Sequence, residues 1–136
     1  MPETDIKTAL ERLQRIENNK DRIIEKIEAF FDQRGQNPKV VVPVERSQLQ
    51  NVLRLALSTT SVQEVKLFIR YQCGRAKRNE GWKNRNFGET LNTTLTEVIE
   101  ETQDNPGLSI ELVRLFLGYL IREARYRRPD NSSGDE

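Results

Sequence analysis

DIKTALERLQRIENNKDRIIEKIEAFFDQ, residues 5–33, decides the fold class. Ile6, Leu10, Leu13 and Ile16 recur at intervals of three and four, and Ile23, Ile27, Phe30 and Phe31 carry the stripe onward. That period keeps apolar side chains on one face of an α-helix, whereas a half-buried strand would alternate every second residue. The spacing predicts one long amphipathic helix. Thr4 or Asp5 is its candidate cap, Gly35 its candidate terminator, and Asn18-Asn19 the place for a bend. Asp21 with Glu25 and Arg22 with Lys26 are like-signed pairs four apart, so pairing on the outer face adds little.

Working outward, residues 36–46 place Pro38 and Pro43 around Lys39 and Val40 to Val42, which excludes a helix. A strand there has no partner strand, so extended chain laid over apolar surface is expected. Ser47 with Gln50 reads as a capping box for a second helix, with Leu49, Val52, Leu53 and Ala56 inward and Ser58-Thr59-Thr60 at its end. Ser61 with Glu64 reads as another, opening a third helix that buries Val65, Phe68, Ile69, Gln72, Cys73 and Ala76. Gly81 and the asparagines make residues 79–86 a loop. Phe87, Leu91, Leu95, Val98 and Thr102 define a fourth helix, and Asp104-Asn105-Pro106-Gly107 a turn. Ser109 is the expected cap of a fifth, with Val113, Phe116, Leu117, Leu120, Ile121 and Ala124 inward. The expected fold is all-α: a compact bundle of about five helices in a single domain, residues 1–128, followed by a polar tail, 129–136, expected to be disordered.

With 35% hydrophobic and 32% charged residues, the chain suits one modest core under a charged surface. Its apolar runs fall far short of the roughly 20 residues a bilayer span needs, so no membrane segment is expected. Met-Pro-Glu-Thr-Asp lacks the basic and apolar parts of a secretory signal, and the lone Cys73 cannot form an internal disulfide. A reducing cytoplasm is the expected location. Histidine is absent, which removes the commonest general base and metal ligand. Cys73 on an apolar face reads as a core residue, and Glu97, Glu100 and Glu101 as a solvated helix face. No Walker loop or dinucleotide fingerprint occurs. The expectation is a binding protein: no enzyme, no cofactor, no metal.

Net charge is only +1, but it is distributed in blocks. Between Glu64 and Arg85, Lys66, Arg70, Arg75, Lys77, Arg78, Lys83 and Arg85 face two acidic residues. Residues 87–109 then carry Glu89, Glu97, Glu100, Glu101 and Asp104 without a cation, and the sign returns with Arg114, Arg122, Arg125, Arg127 and Arg128. Lys66, Arg70 and Lys77 fall on one side of the third helix, and Trp82 lies among the cations that follow. Cations around an aromatic ring suit a phosphate backbone with a base to stack, so these residues and Trp82 are the candidate nucleic-acid contacts, with Arg122 and Arg125 as a second patch. Gly74 inside a helix, and Gly118 between the arginines of the last one, suggest a close approach by a neighbour or partner. Arg75 reads equally as a phosphate ligand or a structural arginine.

Ser47-Gln48-Leu49-Gln50-Asn51-Val52-Leu53, then Phe68-Ile69-Arg70-Tyr71-Gln72-Cys73-Gly74-Arg75, a Phe-led helix from Phe87, and Leu115-Phe116-Leu117-Gly118-Tyr119-Leu120 together carry a resemblance. The chain resembles the small, all-helical subunit of type III-A CRISPR–Cas effector complexes over residues 47–128. It departs from that pattern in carrying Gln50 and Asn51 after Ser47 and no histidine near the C-terminus. The resemblance implies a non-catalytic subunit of an antiviral ribonucleoprotein complex. Its partners would be guide RNA and target RNA, other CRISPR effector subunits and self-stacking copies of itself. Two other readings stand beside it: a helix-turn-helix DNA-binding regulator built on the second and third helices, and a helical protein–protein adaptor.

Overall fold

The computed structural model describes residues 3–32 and 42–127, with side chains from Ile6 onward. Five α-helices follow one another: α1 (Glu3–Asp32), α2 (Arg46–Ser58), α3 (Val62–Arg75), α4 (Phe87–Val98) and α5 (Pro106–Arg127). The all-α expectation is met, and no strand occurs among the described residues. The expected tail, residues 129–136, and Gly35 with most of the proline-flanked connector lie outside the described residues. At the connector's end, Val42 and Val44 are buried and Glu45 is extended, in keeping with chain laid over apolar surface.

α5 is the hub. It packs against each of the other four helices, and α1–α4, α4–α3 and α3–α2 are neighbours around it, while α1 and α2 do not touch among the described residues. Val113, Phe116, Leu117, Leu120 and Ala124 of α5 are buried, as its period predicts, while Ile121 is half-buried. Phe30, Phe31, Phe87 and Trp82 join in a chain of edge-to-face contacts with centroids 5.2 to 5.9 Å apart. Each such pair adds about 0.5–1.5 kcal/mol beyond its burial.

α1 and α5 run parallel at one register. Arg127 donates to Asp32 across 95 residues at 2.9 Å, and at the other end the Arg12 guanidinium lies 3.1 Å from where a Cβ on Gly107 would sit. At 1.5 Å per residue, the turns of α1 before residue 11 run past the start of α5 by about 12 Å. Ile6 and Leu10 lie on that overhang and are 57% and 60% exposed, and Leu13, inside the overlap, is 61% exposed, so these three do not continue the packed stripe. The period is right, but the bundle covers it only from Ile16 onward. α1 is continuous through Asn18-Asn19, because Asn19 donates to Arg15 O at 2.7 Å and accepts from Arg22 at 2.9 Å.

Several helix ends differ from expectation, each for a local reason. α1 is already helical at Glu3, so Thr4 and Asp5 lie inside it. α2 begins at Arg46 with extended Glu45 before it and no side-chain cap, so the Ser47–Gln50 box does not form. The Ser61 cap does form, its hydroxyl accepting from the Glu64 N–H at 3.0 Å. Thr59 replaces the reciprocal arm of that box by donating to the Glu64 carboxylate at 2.6 Å and accepting from the Ser61 N–H at 3.1 Å. Within the expected loop, Gly81–Asn86 forms short 3-10 turns interrupted at Asn84 and Arg85, where the backbone is not helical. α4 ends at Val98, and Thr102 belongs to a separate 3-10 turn, Glu100–Thr102. α5 starts at Pro106, three residues before the expected Ser109 cap, because Asn105 Oδ1 accepts the Leu108 N–H at 3.1 Å and proline suits a first helical position. Ser109 is instead buried, donating to Thr102 O at 2.8 Å and locking the α4–α5 corner.

Candidate nucleic-acid interface

α3 and α4 lie antiparallel. Asn92 Nδ2 donates to Lys66 O at 3.0 Å near one end of the seam, and at the other the Cys73 thiol sits where a Cβ on Gly88 would be. Along this seam, positions 66, 70 and 73 of α3 face 89, 92, 93 and 96 of α4. They line an open groove of about 530 Å³. The spacing explains why these residues share it: three, four and seven residues apart is one helix face.

The groove carries two cations against one carboxylate, Glu89. The Lys66 ammonium donates to the Thr96 hydroxyl. Arg70 is exposed and has no partner among the described residues. Asn92 Oδ1 is buried and equally without one. Burial and, secondarily, the Glu89 charge hold the Cys73 thiol above its ordinary pKa, against a smaller opposing pull from Lys83, so it stays protonated and unreactive at neutral pH. Cys73 is half-buried beside Trp82 O, in keeping with a packing role.

The other predicted cations lie outside this groove, and because α3 ends at Arg75, Lys77 does not share its face with Lys66 and Arg70 as expected. Arg75 and Lys77 line a second pocket of about 260 Å³ with Gln48, Gln72, Glu80 and Trp82. Arg75 is exposed, its guanidinium 5.6 Å from the Tyr71 ring centroid. Arg78, Lys83 and Arg85 are exposed on the segment after α3, and Lys83 acts electrostatically on Cys73 at the end of the groove. Gly74 and Gly118 do not serve packing among the described residues, where a Cβ at either would meet nothing within 4 Å.

Trp82 departs from expectation. It is 3% exposed, packed on Phe87 with centroids 5.9 Å apart, so neither ring face is open to a base. Tyr71, 60% exposed beside Arg75, is an aromatic ring these cations do offer to solvent. Trp82 is core because residues 81–86 fold back under α3, with Asn84 Nδ2 donating to Asn79 O at 3.0 Å.

Arg122 and Arg125 do not join this surface. Leu115, Gly118, Tyr119, Arg122 and Arg125 lie along one side of α5; Leu115, Gly118 and Tyr119 are half-buried, and Arg122 and Arg125 are exposed. The α3–α4 seam is on the opposite side of the ring of helices, so the two basic patches face apart. Arg114 and Arg127 are structural. Arg114 donates to Ala56 O at 2.8 Å and Thr59 O at 3.0 Å, closing the end of α2. Arg127 is buried between Asp32 and Glu123 at 2.9 and 2.6 Å. Two carboxylates of the acidic block are met by α1, Glu97 by Lys26 at 3.5 Å and Asp104 by Arg15 at 3.8 Å, and Arg22 donates to the backbone Val98 O at 3.0 Å. Arg22 and Lys26 therefore reach α4 instead of repelling one another in solvent.

Sequence reasoning passed over Asn92, Thr93 and Thr96. Their signal is present as a cluster of poor helix formers, Asn92, Thr93, Thr94 and Thr96, inside a helix that buries its other face. No helix of the described residues is long and apolar enough to cross a membrane, and no group of metal-ligating side chains gathers among them. Comparison with known proteins finds no matching family, no matching curated protein and no matching solved structure.

Proposed function

We propose that this chain is a non-catalytic small subunit of a type III CRISPR ribonucleoprotein complex, holding guide RNA and target RNA through sequence-independent phosphate contacts. The observation that carries the reading is a group of exposed cations without partners among the described residues: Arg70 in the open α3–α4 groove, and Lys77, Arg78 and Lys83 on the segment after α3. Cations left unpaired along one surface release counterions when a polyanion docks, which supplies affinity without base readout. The absence of histidine and the protonated Cys73 support a binding role over catalysis. Neighbouring effector subunits and further copies of the chain are the partners the resemblance adds.

The test is fluorescence anisotropy with labelled single-stranded RNA across a salt series. Affinity should fall steeply with salt. Lys66→Glu with Arg70→Glu should weaken it and lower the slope of log K against log salt by at least about 1.4, two phosphate contacts on a single strand. Helical circular dichroism should not change. Binding unaltered by the double substitution would remove α3 from the interface.

The short link between α2 and α3 favours a second reading, a helix-turn-helix DNA reader. The first turn of α3, where such a helix meets bases, instead carries Gln63 and Glu64, with Glu64 tied to Thr59. A clear preference for one duplex sequence would reinstate that reading.

A further inference from the structure

We propose that the outer face of α3 stacks an unpaired nucleobase on Tyr71, so that the chain holds a single strand by a base as well as by its phosphates. The inference rests on the RNA-binding reading above and adds which state of the strand is bound. Leu67, Tyr71 and Gly74 are four and seven residues apart, which puts them on one face of α3. Val65 and Ile69 are fully buried on the opposite side, whereas Leu67 is 56% and Tyr71 60% exposed. Gly74 is exposed as well, and a Cβ there would meet nothing within 4 Å, so the next position along the face is open space. Glycine weakens a helix interior, and no packing among the described residues accounts for it here. An approaching ligand does.

The surroundings of this face narrow the class of ligand. Arg70, exposed and without a partner among the described residues, borders it on the groove side. Arg75 is exposed with its guanidinium 5.6 Å from the Tyr71 ring centroid, and Arg78 is exposed just beyond the end of the helix. Glu64 is the one carboxylate on α3, and it is tied to the Thr59 hydroxyl at 2.6 Å. An apolar, aromatic centre with a cationic border matches a flat base joined to phosphates. Within a duplex each base face is covered by its neighbours, so an unpaired base is the one that can stack on a side chain. Stacking uses the face common to all four bases, which agrees with binding that ignores sequence.

The test measures anisotropy with the full-length chain and two labelled strands of equal length across a salt series. One is single-stranded RNA, and the other is a strand of abasic ribose phosphates, which keeps the charge and the sugars but has no bases. The unaltered protein should bind the RNA at least about fivefold more tightly, the low end for one base on an aromatic ring. Tyr71→Ala should remove that difference by weakening RNA alone, with the salt slope unchanged because no phosphate contact is lost. Tyr71→Phe, which keeps the ring, should retain it. The abasic comparison uses the unaltered protein, so it does not depend on how a variant folds. Equal binding of the two strands by the unaltered protein would overturn this inference alone and leave phosphate-directed binding standing, as would a Tyr71→Ala loss shared by both strands. No salt-sensitive binding of either strand would overturn the RNA-binding reading and this inference with it, leaving the face to a protein partner.

Discussion

At Gly88 the packing of two helices depends on one absent methyl. A Cβ there would lie 2.2 Å from Cys73 Sγ and 3.3 Å from Trp82 O. Gly88→Ala should destabilise the chain by about 1–3 kcal/mol, the usual cost of overpacking. In a Cys73→Ala background, where the sulfur is gone, the same change should cost less than about 1 kcal/mol. A denaturant-melt double-mutant cycle reads the difference. Equal costs in both backgrounds would mean that the helices part by another route. Nothing around Gly88 in the sequence announces this, because the constraint comes from Cys73 on another helix. The Ser61 cap could be read directly, since its partner Glu64 is three residues away.

Among the elements, α1 divides into two parts with different physics. From Ile16 onward it is packed, with Ile23, Ile27, Phe30 and Phe31 nearly fully buried. Before residue 11 it overhangs α5 and exposes Ile6 and Leu10. Removing residues 1–10 should therefore move the thermal midpoint by no more than about 3 °C. Ile23→Ala should cost about 2–5 kcal/mol by opening a core cavity. A large fall on truncation, read by circular dichroism, would show that the overhang stabilises the bundle. Periodicity identifies a helical face without saying how much of its length a neighbour covers. That depends on α5 beginning at Pro106, which Asn105 and Pro106 set locally.

For the whole molecule, the hub arrangement predicts cooperativity. Every other helix packs on α5, so none can leave without exposing part of the same core. Trp82 is the only tryptophan and is buried where the α3–α4 pair meets Phe87. Its fluorescence and far-ultraviolet circular dichroism should follow one urea transition with the same midpoint. Separate midpoints would show that the α3–α4 pair unfolds independently of α5.

Helix number, the identity of most buried residues and the basic character of the α3 region follow from local regularities that a linear reading detects: a period of 3.6, prolines, and like charges in series. Phe87, Leu91, Leu95 and Val98 were legible in this way, as were the exposed Arg70, Lys77 and Arg78. The groove was legible on one wall only. Lys66 and Arg70 stand out by charge, whereas Asn92, Thr93 and Thr96 are neutral and gain meaning from lying opposite them. Long-range packing also withdrew Arg114 and Arg127 from the basic surface, turned Arg122 and Arg125 to the opposite side, and placed Trp82 in the core. The physical reason is common to all of these. A side chain's exposure and partners depend on which elements fold against it, and those elements lie tens of residues away along the chain.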